Sequence, residues 1–212
     1  MSTITQTVLA SRIVAIVRLE RYDQAVALTE ALLAGGIEVI EFTLTGEGAN
    51  EAIAATRAVV SERAYIGVGT VLDPRTAREA VAAGAQFIVT PVVRPAVIEV
   101  GRALGVPVFS GAFTPTEALT AHEAGADFIK IFPARLGTPH YLRDILAPLP
   151  FLRLVPTGGV NADNARAYLE AGAVAVAIGG GLVSEQSVAS QNWEQITARA
   201  RACVEAVRSF TV

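Results

Sequence analysis

The amino-acid sequence predicts one α/β domain, a closed (β/α)8 barrel in which eight parallel strands alternate with helices. Three observations favour this fold class: a repeated helix-to-strand junction, eight short apolar runs at regular spacing, and the apolar character of these runs over nearly their whole length. A strand that is apolar at successive positions is buried on both faces, as in a parallel sheet covered by helices.

The junction occurs four times along the chain. In each copy a helical stretch rich in Ala and Glu ends at Ala-Gly, and a short apolar run follows. Glycine after the last turn ends a helix, and the β-rich run behind it is the next strand. The four junctions begin at Leu33, Ala83, Ala124 and Ala171.

Four further apolar runs supply the remaining strands. They are Ile13–Val17, Tyr65–Gly69, Val106–Ser110 and Leu152–Pro156. The spacing between successive strands, roughly 20 to 27 residues, leaves room for one strand and one crossover helix. Eight such units predict a compact TIM barrel over residues 1–212 that includes a short N-terminal helix. The alternative is an open doubly wound sheet with a nucleotide at its switch point, but no strand leads into Gly-x-Gly-x-x-Gly.

Composition excludes several classes of partner. The 212 residues are 52% hydrophobic and carry a net charge of -3 with acids and bases mixed, which predicts neither nucleic-acid nor membrane binding. Cys203 is the only cysteine, so no internal disulfide forms, and a reducing, cytoplasmic location is expected. The N-terminal residues do not follow the pattern of an export signal.

The most informative residue is Lys130, the only lysine of the chain, which lies in the apolar run Asp127–Pro133. An amine held among Phe and Ile side chains loses hydration, so a larger share of it is the neutral form that attacks a carbonyl. The sequence therefore predicts a Schiff-base lysine. The structural alternatives are a lysine that reaches solvent from a strand end, or one that pairs with a buried carboxylate.

Glu41 is the partner that the barrel would supply. It interrupts an apolar stretch at the end of the second strand, and burial would raise its pKa into a range useful for moving protons. Counted from Ala-Gly, however, Glu41 comes one residue later than Lys130, which would turn the two side chains to opposite faces. We expect the extra glycine, Gly36, to absorb this offset. A solvent-facing carboxylate is the alternative.

Two glycine-rich turns follow the last two strands. Gly158 and Gly159 precede a predicted helix whose first turn offers Asn161 and Asp163 as caps, and Gly179–Gly181 repeats the arrangement after the eighth strand. Free backbone N–H groups at such turns bind anions, and these two loops often hold phosphate in barrels. Together they predict a phosphate site.

Two further strand ends carry candidate binding residues. Arg18 ends the first strand and is suited to clamping a carboxylate through two hydrogen bonds, while Thr70 ends the third strand among small residues. The two histidines, His122 and His140, have no ligand partners at useful spacing, so no metal is predicted.

Four segments, taken in this order, resemble the KDPG / 4-hydroxy-2-oxoglutarate aldolase family, where KDPG is 2-keto-3-deoxy-6-phosphogluconate. They are Glu41–Leu44, Gly67–Leu72, Lys130–Ala134 and Pro156–Val160. The resemblance extends over nearly the whole chain. It implies a class I aldolase on a (β/α)8 barrel, commonly a homotrimer, that requires no metal or other cofactor and acts on a keto sugar acid and pyruvate.

The resemblance also implies roles for individual residues. Lys130 forms the Schiff base, Glu41 shuttles protons, and Thr70 and Thr157 line the pyruvyl site. The residues it places near the distal phosphate are Gly158, Gly159 and Gly180.

The chain departs from the family pattern at two places. Thr45 stands where many members carry the arginine that binds the substrate carboxylate, and Arg18 is the expected replacement, as in the 2-dehydro-3-deoxy-6-phosphogalactonate aldolase branch. A family serine of the last glycine-rich loop is glycine here, at Gly180 or Gly181, so one phosphate donor is missing.

The expected reaction is reversible cleavage of a 2-keto-3-deoxy sugar acid to pyruvate and an aldehyde such as glyceraldehyde 3-phosphate. Two alternatives remain at this level. The first is a phosphosugar isomerase or decarboxylase that uses Lys130 only electrostatically. The second is a barrel that binds a phosphorylated sugar acid without turning it over.

Overall fold

The computed structural model describes residues 2–209 and contains the predicted single-domain (β/α)8 barrel. All neighbouring strands pair in parallel, in the order β7-β6-β5-β4-β3-β2-β1-β8. The strands are β1 (Ile13–Val17), β2 (Val39–Thr43), β3 (Tyr65–Gly69), β4 (Ile88–Val89), β5 (Val108–Ala112), β6 (Phe128–Ile131), β7 (Leu154–Pro156) and β8 (Val176–Ile178).

The barrel closes between β7 and β8 through a short contact. Thr157 forms an isolated parallel bridge with Ala177, and the N–H of Val174 donates to the carbonyl of Leu154 at 3.0 Å. Thr157 therefore lies where the first and last parts of the sheet meet.

The helices cover the outside of the sheet, and none in residues 2–209 is both long and apolar enough to cross a membrane. They are α1 (Thr3–Ser11), α2 (Ala25–Ala34), α3 (Ala49–Val60), α4 (Pro74–Ala82), α5 (Pro95–Leu104), α6 (Pro115–Glu123), α7 (Thr138–Leu146), α8 (Ala165–Glu170), α9 (Glu185–Ala189) and α10 (Trp193–Arg208), with a 3-10 turn at Ala134–Leu136.

Capping residues explain where several helices begin. Asp73 accepts hydrogen bonds from the first backbone N–H groups of α4, and Thr114 forms a capping box with Glu117 at α6. Proline occupies the first turn of both helices, where its missing N–H costs no hydrogen bond.

Two strands begin later than the sequence predicts. The fifth starts at Val108 rather than Val106, because the N–H of Val106 closes the end of α5 by donating to Gly101. The seventh starts at Leu154 rather than Leu152, whose N–H is used in a turn with Leu149. Local hydrogen bonds at a helix end and in a turn thus make these two strands shorter than the apolar runs.

The interior of the barrel near the N-terminal ends of the strands, here called the lower interior, is filled by aromatic rings. Phe109 stacks on Phe128 with ring centroids 4.4 Å apart, and Phe87 lies 5.5 Å from Phe109. A side chain at Gly67 would collide with the Phe87 ring, so glycine on β3 is what admits the aromatic layer. The apolar side of α1 packs against the same interior cluster and covers its lower end.

Gly36 sets the register of β2. Its φ is +91°, close to the +96° of Gly125, and these residues precede Glu41 and Lys130 by the same number of positions. Gly35, by contrast, has the helical φ of -84°. Gly36 is therefore the equivalent of Gly125, the single glycine of the junction before β6. In this register Glu41 and Lys130 both point into the barrel.

We expect Gly36→Ala to lower the free energy of unfolding by about 1–2 kcal/mol, because an L residue is strained at this φ. Steric overlap adds little, since an added Cβ would lie 3.7 Å from the nearest atoms of Val204. Gly36→Asn should cost less, because asparagine tolerates a left-handed backbone better than alanine. Urea unfolding of the two variants tests this, and an alanine variant as stable as wild type would contradict it.

Candidate active site

The centre of the site is an ion pair inside the barrel. Lys130 on β6 and Glu41 on β2 project into the interior, and the Lys130 Nζ lies 3.9 Å from the Glu41 Oε1. Both side chains are almost completely buried, with 6% and 2% of their surfaces exposed. The amine also lies 5.6 Å from the centroid of the Phe132 ring. This arrangement agrees with the expectation that the amine of Lys130 lies within reach of a buried acid.

Burial lowers the pKa of the Lys130 amine, because the charged form loses its hydration. Glu41 opposes this effect, whereas the positive charge of Arg18 adds to it. The net direction is downward, so the neutral amine is more abundant than in a solvated lysine. A lysine that merely reached solvent would lack this shift.

Burial raises the pKa of the Glu41 carboxyl, while the cations of Lys130 and Arg18 act in the opposite direction. Its Oε1 accepts no hydrogen bond from the described residues although it is buried. An acid that holds its proton more tightly, beside an amine that holds its proton less tightly, is suited to exchange protons with a bound carbonyl compound.

The end of β3 is shaped around Glu41. A side chain at Gly69 would overlap the Glu41 carboxyl group, so the absence of a Cβ there makes room for the acid. The next residue, Thr70, has φ +62°, which is rare for a β-branched residue. Strain of this kind is found at sites where the backbone is held for function.

A cavity of about 450 Å³ opens at the C-terminal ends of β1, β6, β7 and β8. It is lined by Ile16, Arg18, Phe132, Arg135, Thr157, Gly158, Gly159, Val160, Asn161, Gly179, Gly180, Gly181 and Val183. Lys130 and Glu41 do not line it. Phe132 belongs to its wall and also contacts Lys130, and Ile16 is the register partner of Glu41 on β1, so the cavity adjoins the buried pair.

The cavity brings most of the predicted binding residues together. Those that line it are Arg18, Thr157, Gly158, Gly159 and Gly180. Thr70 is not among them and lies instead on the Glu41 side of the site. Thr45 is exposed and shares a 2.8 Å hydrogen bond with Thr43, and it does not line the cavity either.

The turn after β7 differs from the prediction. Helix α8 begins only at Ala165, and Asn161 accepts from the N–H groups of Asp163 and Asn164 in a separate turn. The glycines therefore do not stand at a helix N-terminus. Within residues 2–209, the N–H groups of Gly159 and Gly180 make no hydrogen bond, so backbone donors remain available at the cavity.

Sequence reasoning missed several residues of the cavity wall, among them Phe132 and Arg135. Phe132 lies within the segment Lys130–Ala134 and Arg135 directly follows it, but only Lys130 was predicted to have a role there. The signal available was a cation directly after an apolar motif, and only the fold shows that this cation faces the glycine turn after β7.

An amine whose pKa is lowered by burial, beside an acid whose pKa is raised by burial at the C-terminal face of a barrel, is typical of an enzyme that works through a Schiff base. The comparisons with known proteins give the family. The model for KDPG and KHG aldolases matches residues 4–199, and the chain belongs to this family. It is a class I aldolase, a carbon-carbon lyase.

Relatives cover nearly the whole chain. A 2-dehydro-3-deoxy-phosphogluconate aldolase of Treponema pallidum is 36% identical over 98% of this chain and 99% of its own. A 2-dehydro-3-deoxy-6-phosphogalactonate aldolase of Escherichia coli is 34% identical over 92% and 94%. The structure of a Legionella pneumophila KDPG aldolase, with pyruvate captured as a covalent carbinolamine, is 29% identical, covers 95% of this chain and 98% of its own, and has a TM-score of 0.86.

We expect opposite shifts of the Lys130 pKa from two charge-removing substitutions. Glu41→Gln removes the charge that raises this pKa, so the pKa should fall further below that of wild type. Arg18→Gln removes a charge that lowers it, so the pKa should rise. Lysine labelled with ¹³C at Cε gives one lysine resonance in this chain, and its pH titration measures each pKa directly.

The matched control is Arg21→Gln, which removes an exposed arginine paired with Asp23 and is not among the groups acting on Lys130. Equal shifts in all three variants, or a wild-type pKa at the ordinary lysine value, would contradict the electrostatic account.

Proposed function

We propose that this aldolase reversibly cleaves a 2-keto-3-deoxy-6-phospho sugar acid, or 4-hydroxy-2-oxoglutarate, to pyruvate and an aldehyde such as glyceraldehyde 3-phosphate. One observation carries the proposal: the only lysine of the chain is buried 3.9 Å from a buried carboxyl group at the active face of the barrel. The names of relatives that match over more than nine-tenths of the chain support this substrate class.

The reaction begins when the neutral amine of Lys130 attacks the C2 ketone. Glu41, directly or through water, protonates the hydroxyl of the resulting carbinolamine, and water leaves. The iminium withdraws electrons, so the C3–C4 bond breaks once a base takes the proton of the C4 hydroxyl. The aldehyde departs, the enamine is protonated at C3, and hydrolysis of the imine releases pyruvate and the free amine.

Arg18 is the group that we assign to the substrate carboxylate. It lines the cavity, and its charge acts on both Glu41 and Lys130, so an anion bound to it lies close to the reacting ketone. A guanidinium binds a carboxylate through two parallel hydrogen bonds. Thr45, which replaces the arginine of many relatives, is turned to Thr43 and does not compete for this role.

The other end of the cavity suits the distal phosphate. Gly158, Gly159 and Gly180 leave the backbone open to a bulky anion, and unpaired N–H groups at two of them can donate to its oxygens. Thr157, buried at the junction of β7 and β8, and Thr70, which directly follows Gly69 at the end of β3, complete the proposed pyruvyl site.

Neither alternative is favoured. An isomerase or decarboxylase that used Lys130 only electrostatically would require a charged lysine, whereas burial favours the neutral amine. In a barrel that only binds a sugar acid, the opposite pKa shifts of Glu41 and Lys130 would have no function. The matched relatives are, in addition, named as aldolases. We further propose a homotrimer in the cytoplasm, on the resemblance to this family of metabolic enzymes.

We expect pyruvate and borohydride to leave a stable adduct on Lys130, because reduction fixes the imine. With one lysine in the chain, a mass increase of the intact protein can be mapped to one peptide, apart from the α-amino group. Lys130→Gln is the matched control and should gain no pyruvate-dependent mass at this peptide. A wild-type protein that shows no adduct would refute the Schiff-base mechanism.

Glu41→Gln should slow turnover by about 100- to 10,000-fold, the usual contribution of a positioned acid and base. The fold should be retained, because Gln fills the same volume without a charge. Steady-state cleavage kinetics measure the loss, and unfolding curves verify that the variant is folded. A loss of less than tenfold would assign proton transfer to another group.

A further inference from the structure

Arg135 is fixed against the glycine turn after β7 by its backbone. Its N–H donates to the carbonyl of Gly158 at 2.9 Å, and the preceding N–H, of Ala134, donates to Thr157 at 2.7 Å. The hydroxyl of Tyr168 donates to the carbonyl of Ala134 at 3.1 Å. The 3-10 turn that carries Arg135 is thus hydrogen-bonded to the turn after β7 and to α8, which fixes the position of the Arg135 backbone in the cavity wall.

The contact with Gly159 is equally close. A Cβ on Gly159 would lie 2.6 Å from the Cβ of Arg135, a distance that real side chains do not adopt. Glycine at position 159 therefore leaves room for the Cβ of Arg135. The backbone N–H of Gly159 also remains unpaired among the described residues. The base of the Arg135 side chain and the anion-accessible backbone occupy the same corner of the cavity.

The charges of the cavity wall have one sign. Arg18 and Arg135 are its charged residues, and no carboxylate lines it. Among residues 2–209, no acid forms an ion pair with Arg135, so its guanidinium is available to a ligand. A cavity bearing two cations in a protein of net charge -3 is suited to a ligand with an anion at each end.

The two arginines are not equivalent. Arg18 alters the pKa values of Glu41 and Lys130, whereas Arg135 does not act on either group. The geometry agrees, since Arg18 follows Ile16, the register partner of Glu41, by two residues, whereas Arg135 is held against Gly158 and Gly159. Arg18 is therefore the cation on the side of the reactive pair, and Arg135 is the one at the glycine turn.

We propose that Arg135 binds the distal phosphate of the substrate and makes the enzyme select phosphorylated over unphosphorylated 2-keto-3-deoxy sugar acids. This inference rests on the proposed function for the identity of the substrate. A guanidinium donates two charge-assisted hydrogen bonds to a phosphate, and it supplies positive charge where Gly180 and Gly181 offer only backbone N–H groups. Arg135 is in this account a binding residue that determines specificity.

The test compares kcat/KM for the same keto acid with and without its phosphate. Arg135→Gln should lower the ratio of the two values by about 10- to 100-fold, the scale of losing charge-assisted hydrogen bonds. Arg135→Lys keeps the charge without the planar fork and should give an intermediate ratio. The matched control Arg143→Gln removes an exposed arginine of α7 that lies outside the cavity and should leave the ratio unchanged.

A binding experiment separates this inference from the proposed function. Inorganic phosphate should raise the thermal midpoint of wild type more than that of Arg135→Gln, whether or not the chain turns over a sugar acid. Pyruvate trapping on wild-type Lys130 reports on the function alone. An unchanged phosphate preference in Arg135→Gln, or equal stabilisation by phosphate, would overturn the role of Arg135 even if trapping succeeds.

Discussion

The structure depends on one physical constraint, which is that an amine and a carboxyl group must be kept out of water within a few ångströms of each other. Removing Lys130 and Glu41 from solvent is unfavourable, and their mutual attraction compensates for it only in part. The surrounding barrel must hold both groups in place at this cost. What it gains is an amine whose pKa is lowered and an acid whose pKa is raised, so that both move towards the range in which protons are exchanged.

The barrel meets this constraint by dividing its interior into layers. The lower layer is apolar and aromatic, with Phe87, Phe109 and Phe128 in contact, and it provides the packing that stabilises the fold. The upper layer carries the ionisable pair, and there the neighbouring strand has no side chain at Gly69. Glycine thus has two different uses on β3, since Gly67 accommodates a ring and Gly69 accommodates the acid.

In the proposed mechanism, binding and covalent chemistry belong to adjacent but separate parts of the molecule. The cavity contains glycine turns and two arginines, while the reactive pair lies deeper, behind Phe132 and Ile16. Anionic groups can therefore be held by exposed cations and backbone N–H groups without hydrating the amine. Arg18 connects the two parts, because its charge reaches both members of the pair.

The sequence by itself determined the fold class, because glycine stops and apolar runs recur with the period of a helix and a strand. It also predicted Lys130 and Glu41 as the residues that carry chemistry, since a lone lysine among apolar residues and a carboxylate at a strand end are costly to bury. It left open which of Gly35 and Gly36 ends the junction, and hence whether Glu41 faces Lys130. Only the backbone conformation decided this, with the positive φ at Gly36.

The backbone hydrogen bonds of the folded chain also decided the strand boundaries and the part of the cavity wall that carries Arg135. Val106 and Leu152 were counted as strand residues because they are apolar, but their N–H groups close a helix and a turn. Arg135 was not predicted as a site residue, because its place in the cavity wall depends on the backbone hydrogen bonds that hold its turn against Thr157 and Gly158. Val106 and Leu152 bond to Gly101 and Leu149, residues close to them in the chain, and their apolar character does not reveal this. The bonds of Ala134 and Arg135 to Thr157 and Gly158 join residues distant in the chain, and no pattern along one stretch of sequence contains them.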